Sequence, residues 1–114
     1  MKLRKPQDSD QITWTKHSLE KMRFYNLSEN RLKRALRNPS RKEEGIAPET
    51  LAVMQRAGSR KHPTEIWLMY QIIKSKVKSQ RLKIISAWRY PGISPKGKEI
   101  PIPRDILEEL EKII

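Results

Sequence analysis

The chain has 114 residues, with 25 Lys and Arg against 13 Asp and Glu, two His and no Cys; this fits one small domain and excludes disulfide scaffolds and thiol catalysis. Neither HExxH nor CxxC spacing occurs, so no structural zinc and no other cofactor is expected. The longest apolar run, Ile66 to Tyr70, is far short of the roughly 20 residues that span a bilayer, and no apolar signal region follows Met1 to Pro6, so a cytoplasmic protein without a membrane partner is expected.

A net charge of +12 points to a polyanionic partner, nucleic acid or the ribosome first, because such self-repulsion is most readily tolerated when a polyanion offsets it. The charge is uneven: residues 1–98 hold 23 basic and 8 acidic side chains, residues 99–114 hold 2 and 5.

In chain order, residues 1–10 are polar, aperiodic and contain Pro6, and read as a flexible basic arm. Leu19, Met22 and Tyr25 recur at helical spacing behind a capping Thr15. Ser28 caps a second helix, with Leu32, Ala35 and Leu36 on its apolar stripe and Asn38-Pro39 as its stop; the two form a helical hairpin. After Pro39 the period becomes alternating, with strands expected near Arg41 to Ile46, Thr50 to Arg56, Glu65 to Ile73 and Leu82 to Trp88. The short breaks between them favour antiparallel neighbours. The run Ile66 to Tyr70 is apolar on both faces, which predicts a central strand covered by helices on at least one side. Residues 91–103 carry four of the eight prolines and read as a connector to a final helix over 104–114, acidic on one side and apolar at Ile106, Leu110 and Ile113, with Leu107 and Ile114 widening the stripe.

Two basic clusters suit phosphate contact: Lys33, Arg34, Arg37, Arg41 and Lys42 around the end of the second helix, and Lys74, Lys76, Lys78, Arg81 and Lys83 across a hairpin. Of the aromatic residues on strands, Tyr90 beside Pro91 is the one expected to be accessible for base stacking. Metal-free RNA cleavage needs the 2′-OH deprotonated, the phosphate charge stabilised and the leaving oxygen protonated. His17 supplies an acid or base near neutrality and Arg89 a bidentate phosphate fork. The competing reading of His17 is a structural hydrogen-bonding residue, and His62 reads as an exposed loop residue.

The stretch His17 to Arg23, followed by Asn26-Leu27-Ser28 and Ala35-Leu36-Arg37-Asn38-Pro39, resembles the helical hairpin of small bacterial and phage domains with a His-Ala-x-x-Arg-Met pattern and a later Asn-Pro. Those domains are similar to the RelE and BrnT toxins, and Lys83 to Arg89 resembles the Ile-Ile-Ser-Ala-x-Arg strand of BrnT-like toxins. The two matches cover roughly residues 14–90. The resemblance implies an α+β domain over 11–90, a helical hairpin packed on a twisted antiparallel sheet of about four strands, with the connector and C-terminal helix outside it. It also implies a toxin-like, ribosome-associated, metal-independent mRNA endonuclease held inactive by an acidic antitoxin. His17, Lys21 and Arg89 match its polar positions, with Lys21 in place of an Arg and Tyr25 where a second Arg is usual. Together with Tyr90 as a proton carrier, these make the candidate catalytic set. The alternatives are a non-catalytic nucleic-acid-binding module on the same fold and a protein-interaction module built on the final helix.

Overall fold

The structure, a computed structural model, describes residues 5–46, 49–74 and 80–113, apart from the side chain of Ile113. Its elements run β1 (Ile12–Trp14), α1 (Lys16–Phe24), α2 (Glu29–Arg37), β2 (Arg41–Glu44), β3 (Thr50–Gly58), β4 (Pro63–Ile73), β5 (Arg81–Pro91) and α3 (Arg104–Ile113). The five strands form one sheet in the order β1-β5-β4-β3-β2. The α+β class stands as expected, with two helices before strands β2 to β5 and one after them. The expectation of about four antiparallel strands is corrected, because β1 adds a fifth and pairs parallel with β5, Ile12 opposite Leu82. Only three residues long, β1 lacks the alternation that would mark it. Of the expected arm, Asp8 and Ser9 are tied to β1: Trp14 N donates to Asp8 Oδ1 (2.9 Å) and Ile12 N to Ser9 Oγ (3.1 Å). Met1 to Arg4, and Ile114 of the expected stripe, lie outside the described residues.

Alternation along β4 divides the core in two. Ile66, Leu68 and Tyr70 face α1 and α2 with Val53, Ile84, Ala87, Met22, Leu27, Leu32 and Ala35. Trp67 and Met69 face the other way, where Ala52, Met54 and Trp88 meet Ile106 and Leu110 of α3. The central strand is thus covered by helices on both faces. Trp67 and Trp88, directly opposite on β4 and β5, stack with centroids 5.9 Å apart and planes 5° from parallel. Between Met69/Ser86 and Tyr70/Ile84 the register slips, leaving Ile85 as the extra residue of a β-bulge. The bulge breaks the simple alternation of β5, so Ile84 and Ala87 share one face while Trp88 takes the other.

Local rules hold the connections. Thr15 and Ser28 cap α1 and α2 by accepting from Ser18 N and Arg31 N, each at 3.1 Å. Gly58 closes the β3–β4 hairpin at φ 79°, where an added Cβ would stand 2.3 Å from His62 O. The connector is pinned by Glu65, a fully buried carboxylate that accepts from Trp67 Nε1 (3.0 Å), Ser94 N (3.0 Å) and Ser94 Oγ (2.7 Å).

Leu110 is fully buried under α3, whereas Leu107 on the same helix is 39% exposed. Leu110→Ala is expected to cost about 2 to 5 kcal/mol, and Leu107→Ala less than about 1 kcal/mol, in urea denaturation followed by tryptophan fluorescence.

Candidate functional site

Because β1 ends at Trp14, α1 takes over its place beside β5. Thr15 Oγ1 donates to Ile84 O (2.7 Å), His17 Nε2 lies 3.0 Å from Ser86 Oγ, and Arg89 Nη2 donates to Tyr25 O and Asn26 O (both 3.4 Å). Lying along this edge, α1 shows one side to each face of the sheet. His17, Lys21 and Tyr25, four residues apart, form the row that reaches α3. Asp105 and Glu109, also four apart, meet them in antiparallel order. His17 Nδ1 is 2.6 Å from Glu109 Oε2, Lys21 Nζ is 2.6 Å from Asp105 Oδ2 and 3.0 Å from Glu109 Oε1, and Tyr25 Oη donates to Asp105 Oδ1 (3.3 Å).

This arrangement shifts the protonation equilibria. Burial acts against the Lys21 ammonium, but the hydrogen bonds and charges of Asp105 and Glu109 outweigh it and hold the amine above its ordinary value. Burial would raise Asp105, yet Lys21 and the Tyr25 hydroxyl keep it below the usual range. Glu109 is lowered chiefly by the Lys21 hydrogen bond, against a smaller effect of burial, with the charges of Lys21 and His17 adding to the lowering. Burial first, and the Asp105 charge second, push the Tyr25 hydroxyl up, so it stays a donor.

Glu109, His17 and Ser86 have the connectivity of a hydrolase relay: a carboxylate on Nδ1 and a hydroxyl at Nε2. Ser86 is fully buried and His17 is 8% exposed, so no substrate reaches the hydroxyl in this arrangement. Here the relay acts as a strut between β5, α1 and α3.

The candidate catalytic set is therefore divided. His17 and Lys21 lie beneath α3, and Tyr90, half-buried, packs into the α3 cluster. Arg89 leaves β5 on the opposite face, opposite Ile66 of the α1/α2 cluster. There it joins two arginines of α2: burial, then the charges of Arg34 and Arg89, lower the Arg31 guanidinium from its ordinary value. Arg31 also donates to Gln55 Oε1. Among the described residues no carboxylate pairs with Arg31, Arg34 or Arg89. At the end of α1, one residue before the Tyr25 carbonyl that Arg89 holds, Phe24 is 72% exposed and touches Tyr25 edge-on, with centroids 4.9 Å apart.

The expected basic clusters fare unequally. Lys33 pairs with Glu29 (3.1 Å), while Arg34 and Arg37 project from α2 into solvent. The Arg41 side chain is 7% exposed and is engaged by Ser94 Oγ (2.9 Å), Lys98 O (3.2 Å), Glu43 (3.3 Å) and the face of Trp67, so it is a packing residue. Lys42 and Lys74 are exposed, Lys83 is half-buried, and Arg81 donates from Nε to Thr13 Oγ1 (2.7 Å). Lys76 and Lys78 lie outside the described residues. His62 sits exposed in the β3–β4 loop. Sequence reasoning missed Arg31, whose spacing of three from Arg34 was the available signal, and the exposed Phe24. It also missed Asp105 and Glu109 as partners, since nothing local links them to α1. Among the described residues no group of three or more His, Cys, Asp or Glu is arranged to hold a metal, and no helix is long and apolar enough to cross a membrane.

Asp105 and Glu109 bind protons less readily in the folded than in the unfolded chain, so their contribution to stability is whole above about pH 5 and is lost as pH falls through and below the ordinary values of 3.8 and 4.5. The urea midpoint is expected to drop between pH 6 and pH 3.5, and to drop less in Asp105→Asn/Glu109→Gln. Comparison of the chain with protein-family models, with curated proteins and with solved structures finds no match in any of the three.

Proposed function

We propose that the protein binds single-stranded RNA through the face formed by α2, the end of α1 and β5. The observation that carries this reading is the gathering of Arg31, Arg34 and Arg89 without an acidic partner among the described residues: Arg31 donates to Gln55, which lies opposite Ile66 on one side as Arg89 does on the other, and Arg89 holds the carbonyl of Tyr25, the residue after the exposed Phe24. Guanidinium groups offer forked donors to phosphate, and an aromatic face stacks on a base without regard to sequence. The net charge of +12 supplies the long-range attraction. RNA, free or on the ribosome, is the partner, and an acidic antitoxin-like protein is a competitor for the same arginines.

The toxin-type endonuclease is the second reading, resting on the RelE/BrnT resemblance. It asks His17, Lys21, Arg89 and Tyr90 to serve one scissile phosphate. With Arg89 on the other face and α3 over His17 and Lys21, binding without cleavage is the reading the geometry favours.

Titration of a single-stranded RNA oligomer against salt tests the binding surface. Arg89→Ala and Arg31→Ala are each expected to weaken binding and to make the salt slope shallower by about 0.7 for each phosphate no longer neutralised. Phe24→Ala is expected to cost about 1 to 3 kcal/mol of affinity, with the thermal midpoint unchanged. Unaltered affinity in all three variants overturns the assignment. Incubation with mRNA in a cell-free translation reaction, with and without ribosomes, decides between the readings: intact message supports binding alone, and cleavage abolished in Arg89→Ala establishes the endonuclease.

A further inference from the structure

The helix α3 meets the rest of the molecule with two unlike strips. Ile106 and Leu110 seal it onto the stacked tryptophans. Asp105 and Glu109 reach sideways to α1, where all four of their carboxylate oxygens are held: Oδ1 by Tyr25 Oη, Oδ2 and Oε1 by Lys21 Nζ, and Oε2 by His17 Nδ1. An ammonium, an imidazole and a phenol hydroxyl thus converge on anionic oxygens, two of the three buried. The ammonium is donor-only and the other two donate here, a set that suits the two non-bridging oxygens of a phosphodiester, which share one negative charge as those of a carboxylate do.

The place of this group matters as much as its chemistry. Lys21 Nζ lies 5.6 Å from the centroid of Phe24, and Arg89 holds the backbone carbonyl of Tyr25. The covered donors and the open arginine face therefore share the last turn of α1. Ahead of α3, the connector is fixed at Ser94 by Glu65 and Arg41 and at Lys98 O by Arg41, Ile100 and Ile102 pack on the same cluster as α3, and residues 99–103 form no helix or strand. A helix on such a tether can lift, with Ile100 and Ile102 leaving the cluster together with Ile106 and Leu110, while the anchors at Ser94 and Lys98 stay in place.

We propose that His17, Lys21 and Tyr25 form a second phosphodiester site, kept closed by α3, whose Asp105 and Glu109 carboxylates occupy the positions of the phosphate oxygens. The proposal rests on the RNA-binding reading above and extends it: a strand lying on the arginine face competes with α3 for the next site along α1. A ligand opens such a cover only by binding the open form more tightly than the closed one, so weakening the carboxylate contacts tightens RNA binding.

The test is the affinity of a single-stranded RNA oligomer for Asp105→Asn/Glu109→Gln, compared with Glu108→Gln/Glu111→Gln, which makes the same charge change on the exposed strip of the same helix. The first pair is expected to gain about tenfold or more over the wild type, the second clearly less, and Lys21→Met added to the first pair is expected to cancel the gain. Equal gains from the two pairs overturn the proposal and leave the RNA-binding reading intact, because only net charge has then acted. No RNA binding by the wild type or any variant overturns both. If the first pair does not fold by circular dichroism, Asp105→Asn alone, which keeps Glu109 on His17 and Lys21, is expected to show a smaller gain, and its absence overturns the proposal.

Discussion

A single buried ammonium, Lys21 Nζ, is the centre of the polar seam between α1 and α3, with the His17–Glu109 and Tyr25–Asp105 contacts on either side of it. It sits on α1, donates to two carboxylates of α3, and belongs to a residue only 7% exposed. A cation so far from water is tolerated only when paired and hydrogen-bonded, and removing either side leaves an uncompensated charge. That requirement dictates much of the geometry around it. The helices must run antiparallel for Asp105 and Glu109 to match Tyr25, Lys21 and His17 in turn. Helix α1 must also lie on the edge of the sheet, since from the middle of one face its side chains would never meet a helix on the other. The brevity of β1 provides that edge, because the strand stops at Trp14 and leaves the rest of β5 to the helix.

A second constraint is the bulge at Ile85. An unbroken strand would place Ser86 with Ile84 on the α1/α2 side. The extra residue turns Ser86 towards His17 and Trp88 under α3, and leaves Arg89 beside Arg31 and Arg34. One irregularity therefore sorts neighbouring residues into a covered site and an open one.

What the sequence made legible was what short-range physics decides. The caps Thr15 and Ser28, the stop at Asn38-Pro39 and the stripe of Ile106 and Leu110 all read correctly, because each rests on residues within a turn or two. The two-faced apolar run in β4 announced a central strand covered on at least one side, and the structure covers both. What escaped depends on distant partners. Strand β1 has too few residues to show a period and is defined by pairing with β5. Arg41 looked like one more surface cation, yet the strand register lays it over Trp67 and against Ser94. Glu65, in an alternating pattern, gave no sign that it would be enclosed with three donors. Arg34 and Arg89 were each recognised as cations, but their convergence with Arg31 is a product of packing.

The pairing of β1 also governs the order in which the structure can assemble. Each of its residues meets a partner 70 positions later in the chain, with the β2–β3, β3–β4 and β4–β5 pairings in between. Contacts of that sequence separation are slow to form, since a long loop must close before they give any return. The β3–β4–β5 meander, built from neighbouring segments, is the natural nucleus, and the amino-terminal strand docks on it only when β5 is in place. Until then α1 has no edge to lie on and α3 has no cation to meet, so the salt-bridged seam belongs to the last stage of folding and to the first stage of opening.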